Sequence, residues 1–282
     1  MCMPSVKKII VHCFLCICAI SSFFNSTPVF AQIMSPGAML NLEVGRMLDL
    51  SSGFYNTLEQ YKRLEHRRIP TDILISVTKH VDNTGSLGKE WYIEIAPHMQ
   101  TIRKQILSYN TTFQQKFSDI QKQIQNKDKE RILQILETIQ SDITIQKQEV
   151  TKFLTTMQGF RNNVGTNSRQ LQNACIPMQV IIDIEEEKQG YPVIGENILL
   201  NRVLDIINYI NGVNGGAVGL LNTLEAMNTN WLTLEAKLQS LIQNIKDASD
   251  ISMNFISADM QIVKENWDNI YNNTHQLYWE VD

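Results

Sequence analysis

Residue types that often carry catalysis or metal binding are few and scattered in this chain. His66, His80, His98 and His275 are far apart in sequence and lack the i, i+4 pairing that a zinc site on one helix requires. The sequence has neither a glycine-rich phosphate-binding loop nor a serine nucleophile elbow. We therefore predict that the protein is not an enzyme and binds no cofactor, metal ion or small-molecule substrate.

The densest acidic cluster consists of Glu185, Glu186 and Glu187, in the segment CIPMQVIIDIEEEKQGYPVIG at 175–195. Three adjacent carboxylates lack the alternation with other ligands that a calcium-binding EF-hand loop shows. Adjacent charges in a turn are typical of solvated loops. We therefore interpret these glutamates as the exposed end of a connection between helices.

The apolar residues on both sides of this cluster have the composition of short β-strands. Residues 178–184 are rich in β-branched side chains, EEEKQG resembles a turn, and 191–194 form a short apolar return. Pro192 weakens the second strand as an interior partner, because proline cannot donate a hydrogen bond to a neighbouring strand. We predict a small β-hairpin or a plain loop at the head end, within 173–195, packed on the end of the helices.

Residues 1–31 have the pattern of a secretory signal peptide. Two lysines precede an almost uncharged apolar stretch at 9–24, and Val29 and Ala31 take the positions of small residues before a cleavage site. A retained membrane anchor is the alternative, but the apolar stretch is short for a full span. We predict export, cleavage after Ala31, and a single helical-bundle domain at 32–282.

The charge of the chain excludes one class of partner. Without residues 1–31 the protein has 23 basic and 29 acidic residues, a net charge of −6 with neutral histidines. This balance argues against a nucleic-acid-binding protein. Cys175 would then be the remaining cysteine, so an intrachain disulfide is excluded. We interpret its side chain as a small apolar one, with pairing to another chain as the alternative.

Apolar residues recur at steps of three and four along much of the chain, which predicts long amphipathic helices. Over 91–124 the average step is about 3.7 residues, close to the period of a straight α-helix. A second stripe covers 132–164, and the polar sequence NKDK at 126–129 between the two is either a tight turn or a polar patch on a continuing helix. Two such helices joined by a short turn pack antiparallel as a hairpin. Three tryptophans at stripe positions favour core packing: Trp91, Trp231 and Trp267.

Further helices flank this hairpin. A serine–proline pair at 35–36 is a favourable helix start, and this helix should end in EHRRIP, with Arg67 and Arg68 in its solvated last turn and Pro70 beyond it. Residues 71–88 contain DNTGSLG, which predicts a linker, with or without a short helix before it. Stripes at 220–245 and 255–278 predict two later helices. We therefore predict an all-α fold, an elongated bundle of about five long antiparallel helices.

The predicted hairpin contains an ordered set of short motifs. They are Lys89-Glu90-Trp91 at a helix start, Pro97, Tyr109, Phe113 and Lys127-Asp128-Lys129, followed later by FRNNV at 160–164 and AMNTNWLTLEAKLQSLI at 226–242. In this order they resemble the Bacillus haemolysin BL and non-haemolytic enterotoxin components, a family of cytolysin A-like α-helical pore-forming toxins. The resemblance covers most of residues 35–280.

The resemblance implies a secreted toxin component with a long helical tail and an apolar head, which is released on membrane contact before subunits assemble. The chain departs from the family at the head, because only residues 172–194 separate the stripes where relatives carry a long apolar insertion. No uncharged apolar run of about 18 residues follows residue 31. The closest stretch, at 206–221, contains asparagines that would be costly in lipid.

We therefore predict a secreted toxin component that acts by membrane association and assembly with partner subunits, as a binding or regulatory component since no spanning segment is evident. The alternative is a secreted, non-lytic helical scaffold or binding module. The expected partners are the target-cell membrane and either other toxin components or further copies of this chain. The candidate contact residues lie in the reduced head: Met178, Val180, Ile181, Ile182, Ile184, Tyr191, Val193 and Ile194.

Overall fold

The computed structural model describes residues 34–247 and 252–277, which are helical over most of their length. The helices are α1 (Pro36–Lys62), α2 (Thr71–Glu90), α3 (Ala96–Asn126), α4 (Lys129–Gln189), α5 (Ile194–Asp247) and α6 (Met253–His275). A π-helical segment, Trp91–Ile95, joins α2 and α3 into one continuous helix, so the described ranges contain five helical segments. The all-α prediction with about five helices is confirmed. The predicted signal peptide lies outside the described residues.

The linker predicted at 71–88 is wrong, because these residues form α2. Val77, Val81 and Thr84 are buried at helical spacing, and their packing outweighs the low helix propensity of the DNTGSLG sequence. Gly88 has a packing role, since a Cβ at this position would overlap the side chain of Leu48 on α1. Glycine here allows α1 and α2 to approach closely, which composition alone does not reveal.

The π-helical segment accommodates Pro97, which lies in the first turn of α3. Proline cannot donate the backbone hydrogen bond of a regular helix, and one wider turn before it relieves the clash with the preceding carbonyl. Trp91 and Ile95 on this segment are both buried, so the apolar stripe continues across the proline. The indole Nε1 of Trp91 donates to Asn41 Oδ1 on α1 at 3.0 Å, which ties the segment to its neighbour.

The tight turn at NKDK, one of the two predicted alternatives, is confirmed between α3 and α4. Lys127 has a left-handed backbone with φ of 56°, which ends α3. Asp128 is the N-cap of α4, and its Oδ1 accepts a hydrogen bond from the Arg131 backbone N–H at 3.0 Å.

The strands predicted at 178–184 and 191–194 are also wrong. Helix α4 continues to Gln189 and α5 begins at Ile194, so a four-residue turn replaces the hairpin. Cys175, Met178 and Ile182 are buried at steps of three and four, and this packing decides for helix over β-propensity. Gly190, with φ of 75°, provides the left-handed residue that ends α4.

The glycine-rich stretch at 211–219 lies in the middle of α5 and packs against α1. A Cβ at Gly216 would lie 3.1 Å from Leu40 Cα, and one at Gly212 would lie 2.8 Å from Glu43 Oε2. The backbones of the two helices therefore approach each other closely at Gly216, whereas Gly212 makes room for the Glu43 side chain. The first half of α5 is in this way fixed between α1 and α4.

Aromatic residues fill the core between α3, α5 and α6. Trp267 stacks on Phe113 with ring centroids 4.8 Å apart and meets Trp231 edge-on at 5.7 Å. The Trp267 indole N–H donates to Asn110 Oδ1 at 2.8 Å. Together with Trp91, these tryptophans are completely buried, which confirms their predicted role in core packing.

Candidate functional site

The candidate functional site is the tip, which we define as residues 175–198: the last turns of α4, the turn at 190–193 and the first turn of α5. It lies beside the α1–α2 connection, residues 63–70. Leu64 of this connection packs so closely on Gly195 that a Cβ there would overlap it. The tip and the α1–α2 connection therefore form one packed end of the helices.

The structure divides the eight predicted contact residues into a buried and an exposed group. Met178, Ile182 and Val193 belong to the core, and Ile181 is half-buried. The exposed group is Val180 (38% exposed), Ile184 (44%), Tyr191 (63%) and Ile194 (72%). A membrane or partner can reach this second group without any rearrangement of the tip.

Two further exposed isoleucines extend this surface and were missed in the sequence analysis. Ile176 lies one turn before Val180 and two turns before Ile184 on the same face of α4, the face opposite Met178. Ile198 lies one turn after Ile194 on α5. The steps of four residues could have shown both, but only if the segment had been recognised as helical.

Arg68 connects the α1–α2 connection to both helices of the tip. Its Nε lies 3.5 Å from Glu185 Oε2 on α4, and its Nη1 lies 3.4 Å from Glu196 Oε1 on α5. The expectation that Arg67 and Arg68 lie in the last turn of a helix is wrong, since α1 ends at Lys62. Arg68 instead reaches inward, whereas Arg67 is exposed.

The three glutamates lie in the last turns of α4, and two of them have structural contacts. Glu186 Oε1 accepts the backbone N–H of Val193 at 3.0 Å, across the turn. Lys188 donates a hydrogen bond to Glu185 at 2.8 Å, which lowers the pKa of the Glu185 carboxyl, with a smaller contribution from the charge of Arg68. The interpretation as a solvated loop is therefore wrong, because all three glutamates are helical, and only Glu187 is exposed as expected.

The tip combines exposed apolar side chains with one buried thiol. Burial raises the pKa of the Cys175 thiol to about 12, so this side chain is protonated and a poor nucleophile at neutral pH. No group of three His, Cys, Asp or Glu side chains suited to a metal ion occurs in the described ranges. Among the same residues, no helix has the length and apolar character needed to cross a bilayer.

The chain contains a recognisable family segment. Residues 58–188 match the Bacillus haemolytic enterotoxin (HBL) family. The predicted family resemblance is thus confirmed over the part of the chain from the end of α1 to the last turn of α4. This HBL segment includes the Lys89-Glu90-Trp91 and Lys127-Asp128-Lys129 motifs and the α4 half of the tip. No curated protein matches the chain by sequence.

Solved structures extend the likeness beyond the HBL segment to α5 and α6. The Bacillus cereus HblL1 toxin component is 14% identical with a TM-score of 0.56, covering 88% of this chain and 98% of its own. A triple head mutant of soluble AhlC, from the tripartite α-pore-forming toxin AHL of Aeromonas hydrophila, is 11% identical with a TM-score of 0.56. The match covers 84% of this chain and 98% of the AhlC chain. Soluble AhlB of the same toxin is 12% identical with a TM-score of 0.52, and the match covers 86% of this chain and 92% of the AhlB chain. At such low identities these structures show a shared helical fold.

Proposed function

We propose that this protein is a secreted toxin component of the α-helical pore-forming type, which acts by associating with the target-cell membrane and assembling with partner subunits. The observation that carries the proposal is the exposed apolar surface of the tip, in a chain whose residues 58–188 match the HBL family. The solved relatives are components of multi-part toxins, which supports assembly with partners here.

The tip exposes more apolar side chains than a permanently solvated surface needs, as expected for a surface that a membrane or a partner covers. Its exposed apolar residues are Ile176, Val180, Ile184, Tyr191, Ile194 and Ile198, all within 23 positions of the sequence. Contiguous exposed apolar surface is typical of membrane or protein contact sites. Complete burial of one such side chain contributes about 1.5–3 kcal/mol, so a few of them suffice for reversible binding.

The position of these side chains favours shallow contact. Ile176, Val180 and Ile184 lie on the outer face of α4, and Ile194 begins the outer face of α5. An amphipathic helix with exposed apolar residues on one face binds in the interfacial layer of a membrane. We therefore propose a binding or regulatory role within the assembled toxin.

A vesicle-binding experiment tests the proposal with a matched control. Ile194→Glu places a charge on the tip, and Ile93→Glu places one at an equally exposed isoleucine (72% for both) on the π-helical segment. Flotation of the protein without residues 1–31 with phosphatidylcholine–phosphatidylserine vesicles should show binding that Ile194→Glu reduces at least fivefold and Ile93→Glu leaves unchanged.

A cell-lysis assay separates the proposal from its alternative, a secreted helical scaffold or binding module. Purified protein is added to erythrocytes alone and together with the other components of an HBL-type toxin from the same source. A contribution to lysis in any mixture, abolished by Ile194→Glu, supports a toxin component. Absence of lysis in every mixture, together with absence of vesicle binding, would favour the scaffold.

A further inference from the structure

We infer that Arg68 is a clasp that holds the tip closed, because it ties the α1–α2 connection to both helices of the tip at once. The clasp rests on the proposed function only in its consequence, which is how much apolar surface the tip presents to a membrane or partner. The closed state itself follows from the contacts of Arg68. By a closed tip we mean the state in which Met178, Ile182 and Val193 are buried.

Two of the contacts of Arg68 converge on one buried carboxylate, that of Glu196. The Arg68 Nη1 lies 3.4 Å from Glu196 Oε1, and the Arg68 backbone N–H donates to the same oxygen at 3.3 Å. The Glu196 side chain is only 2% exposed, whereas that of Arg68 is 26% exposed. A buried carboxylate is strongly destabilising without a charged partner, so removal of Arg68 would force α5 to expose Glu196. This requirement links the start of α5 to the α1–α2 connection.

The α1–α2 connection that carries Arg68 is itself anchored. The hydroxyl of Tyr61, at the end of α1, accepts the backbone N–H groups of Arg68 at 3.1 Å and Ile69 at 2.9 Å. Ile69 is buried, and the Tyr61 ring is buried as well. Burial raises the pKa of the Tyr61 hydroxyl, so it remains protonated at neutral pH. The hydrogen bonds to Tyr61 therefore fix the backbone of Arg68 relative to the end of α1.

A second contact of Arg68 closes the clasp across the turn. Its Nε lies 3.5 Å from Glu185 Oε2 on α4, while its Nη1 contacts Glu196 on α5. The two carboxylates lie on opposite sides of the turn at 190–193, and Arg68 neutralises part of their mutual repulsion. Opening this arrangement would separate the α1–α2 connection from the tip and would begin to expose Val193, the last residue of the turn.

Hydrogen exchange of backbone amides, measured by mass spectrometry, tests the clasp without any membrane. Arg68→Gln should accelerate exchange at least tenfold in peptides covering 68–69 and 190–197. Arg67→Gln removes an exposed neighbouring charge and should leave these peptides unchanged. Peptides from the aromatic core around Phe113 should exchange equally in all variants, which separates local opening from general unfolding. Equal effects of the two arginine variants, or equal acceleration in the aromatic core, would overturn the inference.

A double-variant comparison identifies the partner through which Arg68 acts. In the Glu196→Gln background no buried charge needs compensation, so Arg68→Gln should accelerate exchange of residues 190–197 by less than threefold. An undiminished tenfold effect in that background would overturn the role assigned to Glu196. Vesicle binding plays no part in this experiment, so a failure of the proposed membrane function would leave its result intact.

Discussion

The side-chain amide of Asn197 on α5 donates a hydrogen bond to the Glu186 carboxylate on α4 at 2.6 Å, across the turn of the tip. The same Oε1 atom of Glu186 accepts the backbone N–H of Val193 at 3.0 Å. One carboxylate therefore joins the end of α4, the turn and the start of α5. The tip is a structured end of two helices, and its apolar residues are presented on a defined surface.

Replacing Glu186 should destabilise the tip measurably. Glu186→Ala removes the oxygen that accepts the hydrogen bonds from Asn197 and from the Val193 backbone N–H. The loss of this acceptor should lower the free energy of unfolding by about 1–3 kcal/mol. Urea denaturation followed by circular dichroism measures this change. Glu187→Ala, at the exposed next position, is the control and should stay within about 0.5 kcal/mol of the unmodified protein. Equal losses in both variants would contradict the role of Glu186.

Adjacent glycines in α5 should respond in opposite directions to the same substitution. Gly216→Ala places a Cβ 3.1 Å from Leu40 Cα, which should force α1 away and cost about 1–3 kcal/mol. At Gly215 no atom lies within 4 Å of an added Cβ, so Gly215→Ala should stabilise the helix by about 0.5–1 kcal/mol. Thermal unfolding of the two variants side by side checks the prediction. A stabilised Gly216→Ala protein would show that α1 and α5 are not in close contact.

Cys175 should resist alkylation in the folded protein. Burial raises the pKa of its thiol to about 12, and the thiolate that reacts with iodoacetamide is therefore scarce at pH 8. Mass spectrometry of protein without residues 1–31 should show slow modification under native conditions and rapid modification in guanidinium chloride. Rapid labelling of the native protein would mean that the tip opens frequently, and pairing with another chain would then become accessible to Cys175.

The ion pair between Lys147 on α4 and Glu235 on α5 should make stability depend on pH. The hydrogen bond from Lys147 lowers the pKa of the Glu235 carboxyl, and the Thr144 hydroxyl also donates to it at 3.1 Å. A carboxyl with a lowered pKa in the folded state contributes stability above its unfolded pKa and loses this contribution as pH falls through the folded value. Because both side chains are partly solvated, the contribution should not exceed about 1 kcal/mol.

A comparison with Glu235→Gln isolates this contribution. The unmodified protein should be more stable than the variant at pH 6, and the difference should shrink when both are measured at pH 3. Chemical denaturation at the two pH values provides the numbers. A difference that is the same at pH 3 and pH 6 would show that the charge of Glu235 does not stabilise the fold.

Long, regular apolar stripes were sufficient to predict most of the helices. The steps of three and four from Trp91 to Ile124, and the polar turn after them, correspond to α3 and the start of α4. Helical periodicity is a local property, repeated over many turns, so the buried face of a long helix can be recognised without knowledge of its neighbours. The family motifs likewise lie on long helices or on the turn between α3 and α4, which is why the HBL resemblance was also visible in the sequence.

The errors concern segments where local preference and tertiary packing disagree. The DNTGSLG sequence predicted a linker and the β-branched run at 178–184 predicted a strand, yet both are helical. In each case, a few buried side chains contact a neighbouring helix, and the energy of that burial exceeds the small differences in intrinsic propensity. Gly88 and Gly216 show the same effect, because the absence of a side chain at each position allows α1 to pack closely against the helix that carries the glycine.

The sequence by itself therefore determined an all-α protein with long helices, a polar break at NKDK and an apolar segment at 175–195. Only the tertiary structure decided which apolar residues of that segment are exposed, because burial depends on contacts between residues far apart in sequence. Ile182 and Ile184 have the same side chain, but Ile182 packs in the core and Ile184 faces solvent. The same holds for Arg68, whose partner Glu196 lies 128 positions away and meets it only when α1 and α5 pack together.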